Sequence, residues 1–418
     1  MTLFPGLDAG RGSLMAHGTA IGAVSDNLSN ANTPGYKSER ADFSDVFASS
    51  QGSLFGSPTP VGGGTSIGSI SITHDKQGSV ESTSRELDFS VQGAGMFVLT
   101  DGTQQFYSRN GTFFTDDTGN LVNGEGLSVM GFTAASPTTP VVLNIGNVAA
   151  APVATDTVNV SANLDASSPI VPVVAAPLTF SELAAASSFS SIVRVYDSLG
   201  QPHEVSMHYF HTAASTWDVQ AFVDDSETGG VGGTPVNVGT GTITFDANGV
   251  VPTGTAVTAL INAPWGNGAA ASAVTVDLSK FTGYAAPSAV STLSSNGNGT
   301  GDVQGYELQN DGSLLANLSN GTSVEVGVVA LADFINPNGL KRAGSTLYLD
   351  SDGSAGKPTI GAPNASGLGT TSNFTLEQSN VDTANEFVGL IQYQRGYQAG
   401  SKVITTIDDL ISSTLQLA

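Results

Sequence analysis

The stretch that decides the fold covers residues 25–40 and reads SDNLSNANTPGYKSER. Pro34 disfavours a helical conformation at Thr33, the residue before it. Pro34 also presets φ for the second position of a turn, and Gly35 supplies the positive φ of the third, which fits a type II turn over residues 33–36. The sequence therefore predicts a helix that ends close to residues 30–32 and a chain that is redirected there.

The segment before this turn is predicted to be an amphipathic helix with a narrow apolar face. Leucine and isoleucine recur every seven residues, and a companion row is interrupted by Gly10 and His17. Each glycine inside a helix costs about 1 kcal/mol relative to alanine, so this helix is not expected to persist alone in water. The predicted self-association residues of this helix are Leu7, Leu14, Ile21, Val24 and Leu28.

The C-terminus is predicted to form a second, longer helix. Thr383 and Glu386 have the spacing of a capping box, and no proline interrupts the periodic run that follows. At 1.5 Å per residue the helix would reach roughly 50 Å. Because both apolar stripes are sustained, we expect the two ends to pair with each other and with neighbouring copies. The predicted association residues here are Leu390, Tyr397, Val403, Ile404, Ile407, Leu410 and Ile411.

Composition narrows the function classes. Of 418 residues, 13 are basic and 36 acidic, a formal net charge of −23. Nucleic acid is not an expected partner, because phosphate binding needs a basic surface. The absence of cysteine excludes disulfides and thiolate chemistry. The sequence contains no run of eighteen apolar residues, so we expect no membrane-spanning helix. The N-terminus lacks the pattern of a cleaved signal peptide, so any export is expected to use another route.

The middle of the chain is predicted to be β-structure. Apolar residues alternate with polar ones at 87, 89 and 91, which is typical of a half-buried strand. Asn110-Gly111 is a short hairpin signal, and residues 116–120 form a second turn. Residues 192–210 are predicted to form a further hairpin. The fold class is therefore mainly β with terminal α-helices.

Candidate chemical sites are few. His203, His208 and His211 lie close together, but side chains alternate along a strand, so the three cannot share one face. We predict surface histidines of a strand and no metal site. Residues 350–353 (DSDG) resemble the start of a calcium loop without its later acidic ligand, and predict a turn. No spacing indicates a catalytic constellation or a cofactor, and we expect no enzyme; paired carboxylates as in a glycosidase stay open as an alternative.

Several motifs resemble those of bacterial flagellar rod and hook proteins. Residues 27–37 (NLSNANTPGYK) are similar to that family's N-terminal motif, while 376–382 (LEQSNVD) and 393–398 (YQRGYQ) are similar to its C-terminal signature. Residues 334–340 (FINPNGL) also resemble a family pattern. VYDSLGQPHEV at 195–205 resembles a segment of hook outer domains, which favours hook over the shorter rod proteins. The family-motif turn comprises Asn30, Asn32, Thr33, Pro34, Gly35, Tyr36 and Lys37.

The resemblance implies a structural subunit of the flagellar hook, a short curved flexible tube that transmits torque from rod to filament. It implies a homopolymer outside the cell, contacts with rod, hook cap and hook–filament junction proteins, and passage through the flagellar export apparatus. A distal rod protein is the alternative within the family. A secreted β-rich adhesin or glycan-binding module is the alternative from another class.

The expected domains are nested, with the two ends of the chain paired and the middle inserted. The helices would form a coiled-coil-like inner domain from 1–30 and 383–418. Segments 31–75 and 371–382 would be extended linkers. An inner β-domain would comprise 76–146 and 293–370, with an outer β-domain inserted at 147–292.

Overall fold

The structure of the chain is a computed structural model that describes residues 4–46, 63–146, 148, 151–172, 179–252 and 258–416. The chain divides into two compact units. The first comprises Met1–Val148, Gly305–Asn317 and Ser323–Ala418, and the second Ala149–Gln304 and Leu318–Thr322. The second unit is thus an insertion between two parts of the first. The finer four-part division expected from the sequence stays a prediction.

Helices and strands are numbered in chain order over the described residues. The α-helices are α1 (Phe4–Ser29), α2 (Phe180–Ala186) and α3 (Thr383–Gln416). The first ten strands are β1 (Glu39–Asp45), β2 (Thr65–Ile72), β3 (Val80–Ser82), β4 (Phe89–Gln92), β5 (Met96–Thr100), β6 (Gln105–Ser108), β7 (Phe113–Thr115), β8 (Leu121–Asn123), β9 (Ser128–Thr133) and β10 (Ser136–Val142). The next eight are β11 (Thr157–Asn163), β12 (Phe189–Tyr196), β13 (Pro202–Ala213), β14 (Thr216–Asp224), β15 (Pro235–Thr244), β16 (Thr258–Ala263), β17 (Ser272–Asp277) and β18 (Ala289–Ser295). The last nine are β19 (Val303–Leu308), β20 (Ser313–Leu318), β21 (Ser323–Val329), β22 (Leu331–Asp333), β23 (Lys341–Gly344), β24 (Leu347–Leu349), β25 (Thr359–Gly361), β26 (Thr370–Asn373) and β27 (Thr375–Glu377). Two 3₁₀ helices cover Asp225–Thr228 and Pro337–Gly339.

The first unit joins the paired helices α1 and α3 to β-structure. Its main sheet has the order β19-β20-β21-β9-β5-β6-β24-β23, and short ladders pair β26 with β4 and β27 with β3. Each of these ladders joins a strand from the early part of the chain to one just before α3. Its apolar core is formed by alternate side chains such as Phe89, Phe97 and Leu99, all fully buried. The fold therefore brings the two ends of the chain together.

The second unit is built on one eight-stranded sheet. Its strand order is β12-β13-β14-β15-β16-β17-β11-β18, antiparallel except for the parallel pair β11 and β17. Alternate side chains of these strands, among them Tyr209 and Trp217, form one core, to which Trp265 is added from the loop after β16. A smaller cluster packs Leu183 of α2 against Phe210 and Phe222. Both faces of the central strand β13 are therefore covered.

The predicted fold class, mainly β with terminal helices that pack together, is confirmed. The hairpin predicted within residues 192–210 is present as β12 and β13, and the turn at 116–120 joins β7 to β8. Asn110-Gly111, however, does not make a hairpin. Strand β6 before it pairs with β5 and β24, whereas β7 after it pairs with β8. Non-local pairing has overridden the local turn signal at this position.

The prediction of surface histidines is wrong. His203, His208 and His211 are 2%, 3% and 3% exposed. Their alternation is as expected: His203 and His211 stack on the core residues Trp265 and Trp217, while His208 meets Phe222 on the opposite face. The sequence pattern gave the faces correctly, but it could not show that both faces of β13 are covered.

The capping box predicted at the start of α3 is also wrong. The carboxylate of Asp382, one residue earlier, accepts hydrogen bonds from the backbone N–H groups of Ala384 and Asn385 at 3.1 and 3.2 Å. Thr383 is the first helical residue. Glu386 accepts instead from the Asn27 side chain, a partner distant in sequence. Asp382 is as good a cap as threonine, and a tertiary contact has recruited Glu386.

The acidic segment at 350–353 is a bend that leads into a turn over residues 353–356, slightly later in the chain than predicted. The N–H of Gly356 donates to the carbonyl of Gly353 at 3.1 Å, and Gly353 has φ +72°. Asp352 pairs with Lys341 at 2.9 Å. Over the described ranges, no cluster of three His, Asp or Glu side chains is arranged to hold a metal ion. None of the helices described here has the length and apolarity needed to cross a membrane.

Candidate assembly site: the paired terminal helices

The contact between α1 and α3 follows a row of small residues. On α1 the contact residues are spaced alternately four and three residues apart, as in a heptad repeat, and we call this row the seam. Asn27 and Ala20 on this row are fully buried, and His17 lies against Tyr393 with 6.2 Å between ring centroids. The seam residues of α1 are Gly6, Gly10, Ser13, His17, Ala20, Val24 and Asn27.

Glycines let the two helix backbones approach closely. A Cβ at Gly10 would lie 2.9 Å from Ile404 Cγ1, and one at Gly400 would lie 3.0 Å from Ser13 Oγ. A Cβ at Gly396 would lie 2.5 Å from Cε1 of His17. The glycines that weaken α1 as an isolated helix are therefore part of the surface that holds it against α3. Gly10 and His17, which interrupt the companion row in the sequence, are themselves seam residues.

The predicted leucine row lies beside this seam, one position further round α1. Leu14, Ile21 and Leu28 are half-buried, and Leu7 is 37% exposed. Val24 is the one predicted α1 residue that belongs to the seam, where it approaches Gly389. The intramolecular pairing thus uses small residues and leaves most of the large apolar residues of α1 partly uncovered.

On α3 the predicted residues divide in the same way. Ile407 is buried and Ile404 meets Gly10, whereas Leu390 and Ile411 are half-buried. Tyr397, Val403 and Leu410 remain between 44% and 50% exposed. The first turns of α3 also carry a large apolar patch that sequence reasoning did not select. Its residues are Phe387, Val388 and Ile391.

The motif turn has the predicted geometry. The N–H of Tyr36 donates to the carbonyl of Thr33 at 3.2 Å, and Gly35 has φ +71°. A Cβ at Gly35 would lie 2.7 Å from the carbonyl carbon of Arg109, so close approach of another segment also requires glycine here. Upstream, Asn30 accepts a hydrogen bond from Thr33, and Asn32 is exposed. Helix α1 ends at Ser29, one residue before the predicted 30–32.

Directly after the turn, Lys37 enters a buried charged cluster. Its Nζ lies 2.7 Å from Glu377 Oε1, and Arg109 Nη1 lies 3.1 Å from Glu377 Oε2. Glu377 is 1% exposed and also accepts from the N–H of Gly78. Burial lowers the pKa of Lys37, and the Glu377 charge opposes that shift. This cluster ties the turn to β27 and to the loop after β6.

A second cluster forms around Arg342 of β23. Its Nη1 lies 3.1 Å from Asp26 Oδ2 and 3.0 Å from Glu39 Oε1, and its guanidinium covers the ring of Tyr36 at 4.7 Å. Its Nη2 donates to the carbonyl of Lys37 at 2.6 Å. Burial raises the pKa of the Tyr36 hydroxyl, which donates to Asp26 at 2.9 Å. The β-structure is thereby attached to the end of α1.

Asn27 joins three segments at the top of the seam. Its Nδ2 donates to the carbonyl of Glu39 at 2.8 Å and to Glu386 Oε1 at 3.0 Å, while its Oδ1 accepts from the Glu39 N–H and lies 3.2 Å from the Tyr36 hydroxyl oxygen. Burial raises the pKa of Glu386, although the Asn27 bond opposes the shift, and Asp382 adds to it. One amide thus connects α1, β1 and α3.

Sequence reasoning missed the residues that fix this arrangement from a distance. Arg109, Arg342 and Glu377 lie far from the turn along the chain. Glu377 lies within the motif at 376–382, but nothing in that motif indicates which residues its side chain meets. Part of the seam has a detectable signal in the sequence, since Gly10, His17 and Val24 are spaced by seven. Only Val24 of these three is a large apolar residue, so the row does not show the apolar periodicity that indicates a helix interface.

Family models match this chain in an order that agrees with the structure. "Flagella basal body rod protein" matches residues 7–37, and the D1 domain model of "Flagellar hook protein FlgE/F/G" matches 90–165. "Flagellar basal body protein FlaE D2 domain" matches 163–298, within which lie β12 to β18. "Flagellar basal body rod FlgEFG protein C-terminal" matches 373–417. Terminal helices that pair with each other and flank the β-structure along the chain, together with these matches, define a structural protein of the flagellar rod and hook class.

Similarity over the whole length identifies the family more narrowly. The chain is 30% identical to flagellar hook protein FlgE of Salmonella typhimurium, over 97% of this chain and 98% of that protein. It is 29% identical to flagellar hook protein FlgE of Treponema pallidum, over 98% and 99%. The Helicobacter pylori hook protein FlgE2 crystal structure covers 71% of this chain and 100% of its own, with 16% identity and a TM-score of 0.48. The chain belongs to the flagellar hook protein FlgE family.

Proposed function

We propose that this chain polymerises through its terminal helices into the tube of the flagellar hook and carries torque from rod to filament. The observation that supports the proposal is that α1 and α3 use different side chains for their mutual contact and for their outer surface. On α1 the contact with α3 is made largely by small residues, so large apolar side chains of both helices remain on the outer surface of the pair. Exposed apolar surface of this kind is typical of an interaction site.

The exposed α3 patch is the strongest part of this surface. Phe387, Val388 and Ile391 are 56%, 55% and 50% exposed on one short segment of a long helix. The half-buried leucine row of α1 supplies an apolar surface on the other helix. Because these side chains are already about half-buried, covering the rest against another copy would contribute about 1–1.5 kcal/mol each. A head-to-tail contact between copies whose rotation does not close builds a helical polymer.

The two charged clusters suit torque transmission. Lys37, Arg109 and Glu377 are buried, and Arg342 ties β23 to the end of α1. A rotation of the helices would therefore be passed directly to the β-structure of the same unit. We assign no catalytic role to the chain.

The family supports further assignments that belong to the same proposal. We infer contacts with the rod, the hook cap, the hook–filament junction proteins and the export apparatus, and a location outside the cell without a cleaved signal peptide. The "FlaE D2 domain" match at 163–298 favours hook over rod. N-terminal sequencing of the protein from isolated hooks tests the export route, because removal of a signal peptide would expose a later residue.

The test of assembly compares Ile391→Asp with Gln392→Asp. Both place one negative charge on the same exposed segment of α3, but only the first removes apolar surface. We expect Ile391→Asp to abolish or greatly reduce fibres in negative-stain micrographs and to leave the circular dichroism of the β-structure unchanged. Gln392→Asp should polymerise normally. Normal hooks from Ile391→Asp would contradict the proposal.

A further inference from the structure

A buried histidine in the second unit has a carboxylate at each ring nitrogen. His203 Nε2 lies 3.0 Å from Asp197 Oδ2, and Nδ1 lies 2.5 Å from Glu227 Oε2. The ring is 2% exposed and stacks on Trp265 with 3.7 Å between centroids and 9° between planes. Each ring nitrogen of an imidazole is either a hydrogen-bond donor or an acceptor, so a carboxylate at each nitrogen constrains where the ring protons can be.

Asp197 acts only as an acceptor. Its Oδ1 accepts from the N–H groups of Leu199 and Gln201, and its Oδ2 also accepts from Asn267 Nδ2 at 2.5 Å. Burial by itself would raise the pKa of Asp197, but these hydrogen bonds outweigh it and lower the pKa to about 2. His203 must therefore carry its proton on Nε2.

A second proton is needed on the other side of the ring. With Nε2 protonated, a neutral ring would present the lone pair of Nδ1 to the Glu227 carboxylate at 2.5 Å. Two acceptors at this distance repel each other. The observed contact therefore requires a proton between Nδ1 and Glu227. Glu227 is 34% exposed at its side chain, so this proton is the one that can exchange with solvent.

Glu227 lies in the 3₁₀ helix Asp225–Thr228, which begins a surface loop. Its carbonyl accepts from the N–H of Gly266 at 2.7 Å, next to the stacked Trp265. Asp224 and Asp225, the other acids of this segment, bond to N–H groups of the loop itself and not to the ring. The charged side chains in contact with the ring are thus Asp197 and Glu227.

We propose that His203 is a proton-operated latch, in which the doubly protonated ring holds Glu227 and residues 225–233 against the sheet and loss of the Nδ1 proton at higher pH releases them. Below the transition the loop is fixed through Glu227. Above it, the Nδ1 lone pair repels the carboxylate, and the Gly266 N–H loses its partner as the segment moves. The latch acts on the surface of the second unit.

The same unit contains a matched control. His211 stacks on Trp217 at 4.6 Å and 9°, but its Nδ1 lies 2.8 Å from the carbonyl oxygen of Ser168. A carbonyl accepts from the neutral ring, so this histidine needs no second proton. The chain has five histidines in total, which keeps a ¹⁵N-histidine spectrum simple.

The experiment follows the full chain by ¹⁵N-histidine NMR between about pH 5 and about pH 9, the range in which histidine titrates. Hydrogen exchange of the Gly266 amide is measured over the same range and corrected for the base dependence of the intrinsic rate. We expect His203 to hold two ring protons at the acidic end and to lose the one on Nδ1 as pH rises. Gly266 protection should fall by about tenfold in the same interval.

Glu227→Gln separates the latch from a general effect of pH. Glutamine offers both a donor and an acceptor, so it pairs with His203 in either proton state and should keep Gly266 protected throughout. Glu204→Gln makes the same charge change at an exposed position of β13, paired with Arg194, and should leave the transition intact. A His203 ring with one proton over the whole range would overturn the proposal, as would unchanged Gly266 protection or a Glu227→Gln variant that still opens with pH.

Discussion

Lys37, in the N-terminal motif, and Glu377, in the last strand before α3, form a buried ion pair 2.7 Å apart although 340 residues separate them. Arg109 shares the same carboxylate. Two cations thus depend on one anion at a site closed to water. The pair joins the two parts of the chain that carry the family motifs, so the motifs are parts of one structure and not two separate features.

Replacing the shared carboxylate should destabilise the first unit strongly. Glu377→Gln keeps the shape and leaves Lys37 and Arg109 buried without a counter-charge, which costs about 3–5 kcal/mol. Urea unfolding of the full chain measures the loss. Glu81→Gln, on the exposed face of the paired strand β3, is the control and should change stability by no more than about 0.5 kcal/mol. Equal effects of the two variants would mean that the buried cluster contributes little.

Gly35 should not tolerate a side chain. Its φ of +71° costs about 1–2 kcal/mol for any other residue, and a Cβ would also meet the backbone of Arg109 and Asn110. Gly35→Ala should therefore lower the melting temperature. Gly22→Ala lies within α1, where a Cβ meets nothing within 4 Å, and should stabilise the helix by about 1 kcal/mol. If both substitutions stabilised the protein, the turn would be looser than described.

Two glycines of α3 should likewise respond differently to replacement by alanine. At Gly396 a Cβ would displace the His17 ring, which packs against Phe43 with 5.2 Å between centroids. At Gly389 a Cβ would make ordinary contacts with Tyr393 and Val24, at 3.6 and 4.0 Å. Gly396→Ala should separate the helices and reduce the helical signal in circular dichroism, whereas Gly389→Ala should increase it. The reverse order would place the seam elsewhere on α3.

His74 should make the first unit sensitive to acid. Burial and the positive charges of Lys37, Arg109 and Arg342 lower its pKa to about 4. Between about pH 6.5 and pH 4 the unfolded chain binds a proton that the folded chain does not, so the free energy of unfolding falls as pH falls. The full effect is on the order of 3 kcal/mol.

His74→Phe removes this titration and keeps a ring against Tyr348, 4.9 Å away. The variant should gain stability relative to the parent as pH falls through that range, with a constant difference above about pH 7. Denaturant titrations at several pH values measure the difference. A gap that does not change with pH would show that His74 binds its proton equally well in the folded and unfolded chains.

The sequence was most informative where structure is local. Pro34 and Gly35 determine the turn, because their backbone preferences do not depend on any partner. The seven-residue spacing of apolar residues at both ends of the chain indicated helices, and the alternation of apolar and polar residues in the middle indicated strands. Even the faces of His203, His208 and His211 followed from spacing. Whether those faces are buried did not, since that depends on α2 and on the strands that cover β13.

Only the tertiary structure determined which residues join the helices to each other and to the β-structure of the first unit. Four of the seven seam residues of α1 are glycine, serine or alanine, which carry little apolar periodicity and become an interface only because α3 lies against them. Glu386 bonds to Asn27 and not to its own helix end because the seam brings the two together. Lys37, Arg109 and Glu377 balance one another's charge in a buried site whose members no sequence window contains. Local conformational preference can be read from single residues, whereas burial and charge pairing depend on segments that meet only after the chain has folded.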